Sequence, residues 1–289
     1  MMNQTSNTSD QCGIWQRHSS QWNKLGSPQR PSAQDGAIMM AAVSADLARP
    51  TTAELLVLGV TPEVVLLPWP ASVRLHAFDH SEQMIATVWQ PHPQIASSAQ
   101  QASWQRLPLA DHSVGVAVGD GSFNSLPELA DYTEVMLELA RVLQPDALLC
   151  LRYYALPPVR ESLLEVGAAV KAGHVQSFHA LKWRVAMAVC EGPTFSVALP
   201  AIRAAFEALF PDRDSLAAST GWRREVIDTI DAYQGLLTRY TFADLDTLKA
   251  LCAPWFTLEA MACGDYELGE RCPTLSLRRR SAATSPGTV

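Results

Sequence analysis

The stretch "AELLVLGVTPEVVLLPWPASVRLHAFDHSEQMI", residues 53–85, decides the fold. Its first apolar run, "ELLVLGV", passes through Gly59, and a second run ends at Asp79. Similar runs occur in "VGVAVGD" and "ALLCLRYY", and "ELADYTEVMLELARVL" between them has apolar residues at helical spacing. Strands that are apolar at nearly every position are buried on both faces, as in a parallel sheet. The sequence therefore predicts an α/β fold built on a doubly wound sheet.

The turn after the first run predicts a ligand site. A strand that ends at Gly59 and a helix that begins near Pro62 leave free backbone N–H groups at the carboxyl edge of the sheet, where open α/β folds bind ligands. Thr61 can cap that helix, and proline suits its first position. Asp79 at the end of the second strand can accept hydrogen bonds from both hydroxyls of a ribose.

The glycines that a dinucleotide requires are missing from this turn. A diphosphate pressed against the first turn needs G-x-G-x-x-G, whereas "GVTPEV" places Val60, Thr61 and Glu63 there. The charge of Glu63 would also repel a diphosphate. A cofactor that has a ribose, no phosphate and a positive charge fits this turn better.

S-adenosylmethionine is such a cofactor, and the chain resembles the class I (Rossmann-like) S-adenosylmethionine-dependent methyltransferases over about residues 54–154 and 241–280. "LGVTPE" is similar to a variant subgroup that reads L-G-x-T-P-E, and "SEQMI" resembles the family's D-x-S-x-x-M-I. "QASWQRLPLADHSVGVAVGDGSFNSL" resembles the family's loop and fourth strand. "LARVLQPDALLCLRYY" resembles its next helix and fifth strand, with Asp146 in place of a turn glycine. The resemblance implies a seven-stranded Rossmann-like sheet with a helical insert after the fifth strand, and S-adenosylmethionine as co-substrate.

The resemblance also implies which residues contact the cofactor: Gly59, Thr61 and Glu63 in the first loop, Asp79 and His80 after the second strand, Trp104 and Gln105 at the adenine, and Asp120, Gly121 and Asn124 facing the methyl group. Arg30 can pair with the cofactor's carboxylate if the N-terminal segment folds over the sheet edge. Structural alternatives stay open for four of them: Gly59 as a strand end, Asp79 as a helix cap, Trp104 as a rim residue and Arg30 as a surface cation.

The catalytic group is not identified by the sequence. Methyl transfer from a sulfonium is an in-line displacement that depends on proximity and orientation, with a base where the nucleophile carries a proton. Asp120, His179 and Tyr153 are the candidates. For His179, in "FHALKWRVAM", packing on a helix face is the alternative.

Pattern and composition divide the chain into six parts. They are a disordered tail (1–12), an N-terminal helical segment over the site (13–50), the cofactor-binding α/β core (51–156), a helical lid or substrate subdomain (157–240), the end of the α/β core (241–280) and a second tail (281–289). Within them, Ser32 is predicted to cap a helix from about Ala33 to Leu47. A second helix is predicted to open at Thr241, followed by strands in "FTLEAMACG" and "PTLSLRRR".

Composition limits the partners. A net charge of -7 offers no broad basic surface for a nucleic acid. The six cysteines show neither C-x-x-C spacing nor an accompanying histidine pair, so we expect no metal site and free thiols in a reducing cytosol. The longest apolar run is interrupted by prolines, so no membrane contact is expected. These features favour a soluble cytoplasmic protein, and they leave a homo-oligomer open.

The sequence thus predicts a methyltransferase acting on a small-molecule acceptor. Phe178, Trp183, Phe195 and Trp222 in the insert suggest an organic acceptor with hydrophobic surface, or form the insert's own core. Two alternatives remain: a catalytically inactive domain of the same fold, favoured by the altered loop, and an NAD- or nucleotide-dependent enzyme, which the absent glycines oppose. Binding of S-adenosylmethionine without binding of NAD would separate the three.

Overall fold

The computed structural model describes residues 21–49, 51 and 53–281. The predicted N-terminal tail lies outside the described residues, as does all but the first residue of the predicted C-terminal tail.

Nine strands are found in the described part of the chain. They are β1 (Glu54–Leu58), β2 (Arg74–Asp79), β3 (Ser97–Gln101), β4 (Val114–Asp120), β5 (Leu143–Arg152), β6 (Ser196–Ala198), β7 (Arg239–Thr241), β8 (Phe256–Ala262) and β9 (Thr274–Arg279).

Seven of these strands form one sheet in the order β3-β2-β1-β4-β5-β9-β8. The strands from β3 to β5 run parallel, and β9 pairs antiparallel with both β5 and β8. The predicted seven-stranded, doubly wound sheet is confirmed. Its strand order reverses between β1 and β4, and the crevice at the carboxyl ends of these strands is where folds of this type bind ligands.

The described helices are α1 (Ala33–Leu47), α2 (Pro62–Val65), α3 (Glu82–Val88), α4 (Leu129–Val142), α5 (Leu163–Lys171), α6 (Phe178–Ala188), α7 (Leu199–Leu209), α8 (Arg213–Thr220), α9 (Arg224–Ile227) and α10 (Leu245–Cys252). None of them has the length and apolar composition that a membrane crossing requires. The helix predicted at Ala33–Leu47 is confirmed, and Ser32 caps it in a reciprocal capping box with Asp35.

Both faces of the sheet are buried. Leu55 and Val57 of β1 pack with α1, α2 and α3 on one face. Leu56 and Leu58 alternate with them and pack with α4 and α10 on the other face. Because successive side chains of a strand point to opposite faces, this burial explains the continuous apolar runs in the sequence.

The insert after β5 has its own apolar core, to which α5, α6 and α7 contribute. It is less uniformly helical than predicted, because the short strands β6 and β7 pair antiparallel within it. The prediction of a helix opening at Thr241 was wrong: Thr241 ends β7, and α10 begins at Leu245 with Asp244 as its cap. Thr241 is fully buried and its backbone carbonyl accepts hydrogen bonds from other elements, so it is held in the strand.

Two further differences concern short polar segments. The sequence "SSAQQ" of β3 gave no strand signal, because this edge strand pairs only with β2 and is largely exposed. Asp146, which stands in place of a turn glycine, adopts a left-handed conformation with φ of 60° near the bulge between β4 and β5. Aspartate tolerates this region better than most residues.

Candidate functional site

A cleft opens at the carboxyl ends of β1, β2 and β4, and it is covered by the N-terminal segment and by the insert. It encloses about 730 Å³, part of it open to solvent. The lining residues come from four regions: Trp22, Leu25 and Gln29 from the N-terminal segment; Leu58, Gly59, Val60, Thr61, Asp79, His80, Met84 and Trp104 around β1 and β2; Asp120, Gly121, Ser122, Asn124, Ser125 and Tyr154 after β4 and β5; and Trp183 and Tyr240 from the insert.

The loop after β1 turns at a single glycine. Gly59 has φ of 102°, a conformation that side chains rarely adopt, and its N–H donates to the carbonyl of Phe78 at 2.8 Å. Thr61 has φ of -57° and makes no side-chain cap bond, so its predicted capping role was wrong, while Pro62 occupies the first turn of α2 as predicted. The turn therefore needs one glycine rather than a run of them.

Asp79 and His80 both lie on the cleft. The Asp79 carboxylate is buried and accepts a hydrogen bond from the backbone N–H of Ser81 at 2.8 Å. His80 Nδ1 lies 3.8 Å from Asp79 Oδ1. Burial raises the pKa of Asp79 and lowers the pKa of His80, and the attraction between the two groups opposes both shifts. Asp79 Oδ2 faces the first loop, because a Cβ built on Gly59 would lie 3.8 Å from it.

Trp104 lies on the cleft and Gln105 does not. The Trp104 indole N–H donates to the carbonyl of Phe78 at 2.7 Å, which fixes the ring, and the centroid of the His80 ring lies 6.3 Å from that of Trp104. Gln105 is not among the lining residues, and its amide donates to Asp131 at 3.2 Å. Trp104 therefore stays a candidate for contact with the adenine, whereas the Gln105 side chain is directed toward α4.

Arg30 and Glu63, both predicted to contact the cofactor, bind each other instead. Arg30 Nε donates to Glu63 Oε1 at 2.7 Å, and the guanidinium also packs 4.9 Å from the Trp22 ring. Neither Arg30 nor Glu63 lines the cleft. The N-terminal segment does fold over the sheet edge, as the hypothesis for Arg30 required, but the cation then meets the acid of α2.

A cluster of buried charged residues adjoins the cleft, because it includes Asp120 of the cleft lining. Arg152 of β5 is fully buried and lies 2.6 Å from Asp120 and 3.2 Å from Asp35. The Tyr266 hydroxyl donates to Asp35 at 2.8 Å. Burial raises the pKa of Asp120 to about 6; Arg152 opposes this rise, and Asp35 and Glu63 add to it. Sequence reasoning missed Arg152, although a lone arginine within the apolar run "ALLCLRYY" was a signal.

Asn124 and Gly121 fix the geometry after β4. The Asn124 amide donates to the carbonyls of Tyr154 and Thr241, each at 2.8 Å, and its oxygen accepts from the Tyr154 N–H at 2.9 Å. Gly121 has φ of 58°, and a Cβ there would lie 2.7 Å from the Tyr154 ring. The amide of Asn124 is therefore engaged in joining β5 to the returning strand of the insert.

Of the three catalytic candidates, Asp120 alone lines the cleft. Tyr153 is buried in the core, where its hydroxyl accepts from the Ala243 N–H at 2.8 Å and burial raises its pKa. His179 is buried on α6, and burial together with Lys182 lowers its pKa to about 3. Neither Tyr153 nor His179 is among the lining residues of the cleft.

Aromatic residues form the wall of the cleft where Tyr154 meets the insert. The Trp183 ring lies 4.9 Å from Tyr154 and 5.5 Å from Tyr240, centroid to centroid. Phe178 and Trp222 pack against each other at 6.2 Å in the insert's core instead. Within residues 21–49, 51 and 53–281, no group of three His, Cys, Asp or Glu side chains is placed to hold a metal ion.

Residues 57–151 match the family described as methyltransferase domain, from within β1 to within β5. No curated protein sequence matches the chain.

Three solved structures show a similar fold at low identity. A protein from Rhodobacter sphaeroides described as a Zn-dependent alcohol dehydrogenase has a TM-score of 0.55 and 10% identity, over 94% of this chain and 98% of its own. Phosphoethanolamine N-methyltransferase 1 from Haemonchus contortus, in complex with phosphoethanolamine and S-adenosylhomocysteine, has a TM-score of 0.53 and 12% identity, over 100% of this chain and 52% of its own. The PH0226 protein from Pyrococcus horikoshii OT3 has a TM-score of 0.50 and 13% identity, over 90% of this chain and 99% of its own. At such identities the likeness shows the fold alone.

Proposed function

We propose that this chain, whose residues 57–151 match the family described as methyltransferase domain, transfers a methyl group from S-adenosylmethionine to a small organic acceptor. One observation carries the proposal: Gly59, Asp79 and Trp104, predicted from separate motifs, converge on one cleft inside that domain. The cleft lies at the switch point of the sheet.

The residues around β1 and β2 fit the nucleoside part of the cofactor. The Asp79 carboxylate has one oxygen toward the first loop, where it can accept hydrogen bonds from ribose hydroxyls. The Trp104 ring, held by its bond to Phe78, offers a fixed face for stacking on adenine. Gly59 and Thr61 allow close approach of the backbone, and His80 adds a polar edge.

The charge of the cleft fits a sulfonium. Asp79 and Asp120 line it, and among the described lining residues there is neither a lysine nor an arginine. A cation is favoured where carboxylates lie in a site of low dielectric constant. Asp120 and Gly121 lie at the end of β4, where the methyl group would be presented. The chain's contribution to the displacement is to hold cofactor and acceptor in line and to exclude water.

The enclosure of the cleft favours a small acceptor. The N-terminal segment covers it with Trp22 and Leu25, and the insert covers it with Trp183 and Tyr240. We therefore assign residues 157–240 to an acceptor-binding lid and residues 13–50 to a cover, of which 21–49 are described.

Isothermal titration calorimetry with S-adenosylhomocysteine, with NAD as the control ligand, tests the proposal. We expect micromolar binding of S-adenosylhomocysteine and no binding of NAD. Binding of NAD alone would favour a nucleotide-dependent enzyme. Binding of S-adenosylhomocysteine without methyl transfer to any member of an acceptor panel would favour the inactive domain.

A further inference from the structure

Three residues that line the cleft carry buried polar atoms without a hydrogen-bond partner among the described residues. Trp183 Nε1, Trp22 Nε1 and Gln29 Oε1 are buried, and none has a hydrogen-bond partner within the part of the chain that the structure describes. All three residues line the cleft. A buried polar group without a partner loses its hydrogen bonds to water with nothing in return, and native proteins keep few of them. Three of them around one cavity indicate that a ligand supplies the partners.

Two of these residues, Gln29 and Trp183, contact Tyr154, at the end of the cleft that we assign to the acceptor. The Tyr154 hydroxyl donates to the backbone carbonyl of Gln29 at 3.0 Å, and its ring lies 4.9 Å from that of Trp183. Tyr154 follows β5, which is separated from β2 by β1 and β4. Three strand spacings amount to about 14 Å. Trp183 and Gln29 are therefore too far from Asp79 to serve the ribose that we assign to it.

Among the described residues that line the cleft, there is no lysine or arginine that could receive an anionic acceptor. Arg152 is already paired with Asp120 and Asp35, and Arg30 with Glu63. A carboxylate or phosphate at this end would face Asp120 with no basic side chain among the described lining residues. Such a like-charge approach disfavours anions.

We propose that the acceptor is an uncharged aromatic compound bearing a hydroxyl group. Its ring packs on the wall formed by Tyr154, Trp183 and Tyr240. Its hydroxyl oxygen accepts a hydrogen bond from Trp183 Nε1, and its hydroxyl proton is donated to Gln29 Oε1. This assignment rests on the proposed function, because it takes the cleft to be the site of methyl transfer.

A pair of probes that differ in charge tests the assignment: 4-hydroxybenzamide and 4-hydroxybenzoate. Each is titrated at pH 7 into the protein saturated with S-adenosylhomocysteine. We expect the amide to bind at least tenfold more tightly than the carboxylate. Trp183→Phe keeps an aromatic ring and removes the donor, so it should weaken binding of the amide about fivefold and leave the affinity for S-adenosylhomocysteine unchanged. Trp222→Phe is the matched control, because the Trp222 N–H donates to the Gln176 carbonyl away from the cleft.

Three results would overturn the assignment. Binding of the carboxylate as tightly as the amide would point to an anion site, with the buried Lys182 of α6 as its cation. Binding of neither probe to the cofactor-saturated protein would remove the hydroxyaromatic class. Unchanged amide binding by a folded Trp183→Phe variant would show that the Trp183 indole N–H does not bind the acceptor. Failure of S-adenosylhomocysteine to bind the unmodified protein is a different outcome, which rejects the proposed function itself.

Discussion

Replacing Asp120 by asparagine should leave the protein at least as stable as before at pH 8, although the change removes a charge that lies 2.6 Å from Arg152. One buried guanidinium serves two buried carboxylates, since Arg152 also lies 3.2 Å from Asp35. The asparagine variant keeps Arg152 paired with Asp35. The cluster then holds one cation and one anion.

The size of the expected change in stability follows from the pKa of Asp120. Burial raises this pKa to about 6 from an ordinary value of 3.8, which at about 1.4 kcal/mol for each pKa unit corresponds to about 3 kcal/mol. Because the folded-state pKa is the higher one, the folded state binds more protons between about pH 4 and pH 6. This contribution to stability is present below about pH 4 and is lost as the pH rises through 6. Asparagine does not titrate, so the variant should be between unchanged and about 3 kcal/mol more stable at pH 8, and the difference should shrink at pH 5.

The opposite change, Arg152→Met, should destabilise the protein by about 3–5 kcal/mol, because it leaves Asp35 and Asp120 buried without their cation. Arg278→Met is the control: Arg278 also pairs with two acids, Asp46 and Glu259, but it is partly exposed, so the loss should be smaller. Urea unfolding at pH 8 and pH 5, followed by tryptophan fluorescence, measures all variants. A loss of more than about 2 kcal/mol for Asp120→Asn at pH 8 would refute the reasoning, because the ion pair would then outweigh the burial of the extra charge.

Three further changes test the cleft. Asp79→Asn should weaken binding of S-adenosylhomocysteine by about 1–3 kcal/mol in calorimetry, and unchanged affinity in a folded variant would remove the ribose assignment. Gly59→Ala should lower stability by about 1–2 kcal/mol and also reduce that affinity, whereas Gly221→Ala, at a φ of 75° with open space around it, should lower stability alone. Equal affinities of the two alanine variants would contradict a close approach at Gly59. Asn124→Ala should lower the free energy of unfolding by about 3 kcal/mol, since the backbone groups of Tyr154 would lose their partners; a loss below about 1 kcal/mol would mean that water replaces the amide.

The parallel strands and α1 could be predicted because each carries its signal within its own residues. The strands β1, β2, β4 and β5 are buried on both faces over most of their length and are therefore largely apolar. Ser32 and Asp35 are three residues apart and form the capping box at the start of α1. In contrast, β3 is a polar edge strand whose pairing partner, rather than its own composition, holds it in the sheet. Thr241 was misassigned for the same reason, since its partners lie in other elements.

The site residues that could be predicted from the sequence are those whose position follows from the end of a strand. Gly59 and Asp79 end neighbouring parallel strands, which brings them to one edge. The sequence named Tyr153 as a candidate, but Tyr154 lines the cleft; this difference depends on the register, because adjacent residues of an extended segment point to opposite sides. Tyr153 points into the core with Leu149 and Leu151, and Tyr154 points to the cleft.

The pairing of Arg30 with Glu63 explains how the loop can hold an acid where a dinucleotide-binding turn would carry glycines. The two residues are 33 positions apart, so no local pattern connects them. Once paired, Glu63 no longer presents a free charge to a ligand, and Arg30 is anchored over α2. The anchor holds the segment from Trp22 to Arg30 over the cleft, where Trp22 and Gln29 become part of its wall. Glu63, which the sequence places where a diphosphate would lie, therefore also holds in place the segment that encloses the site.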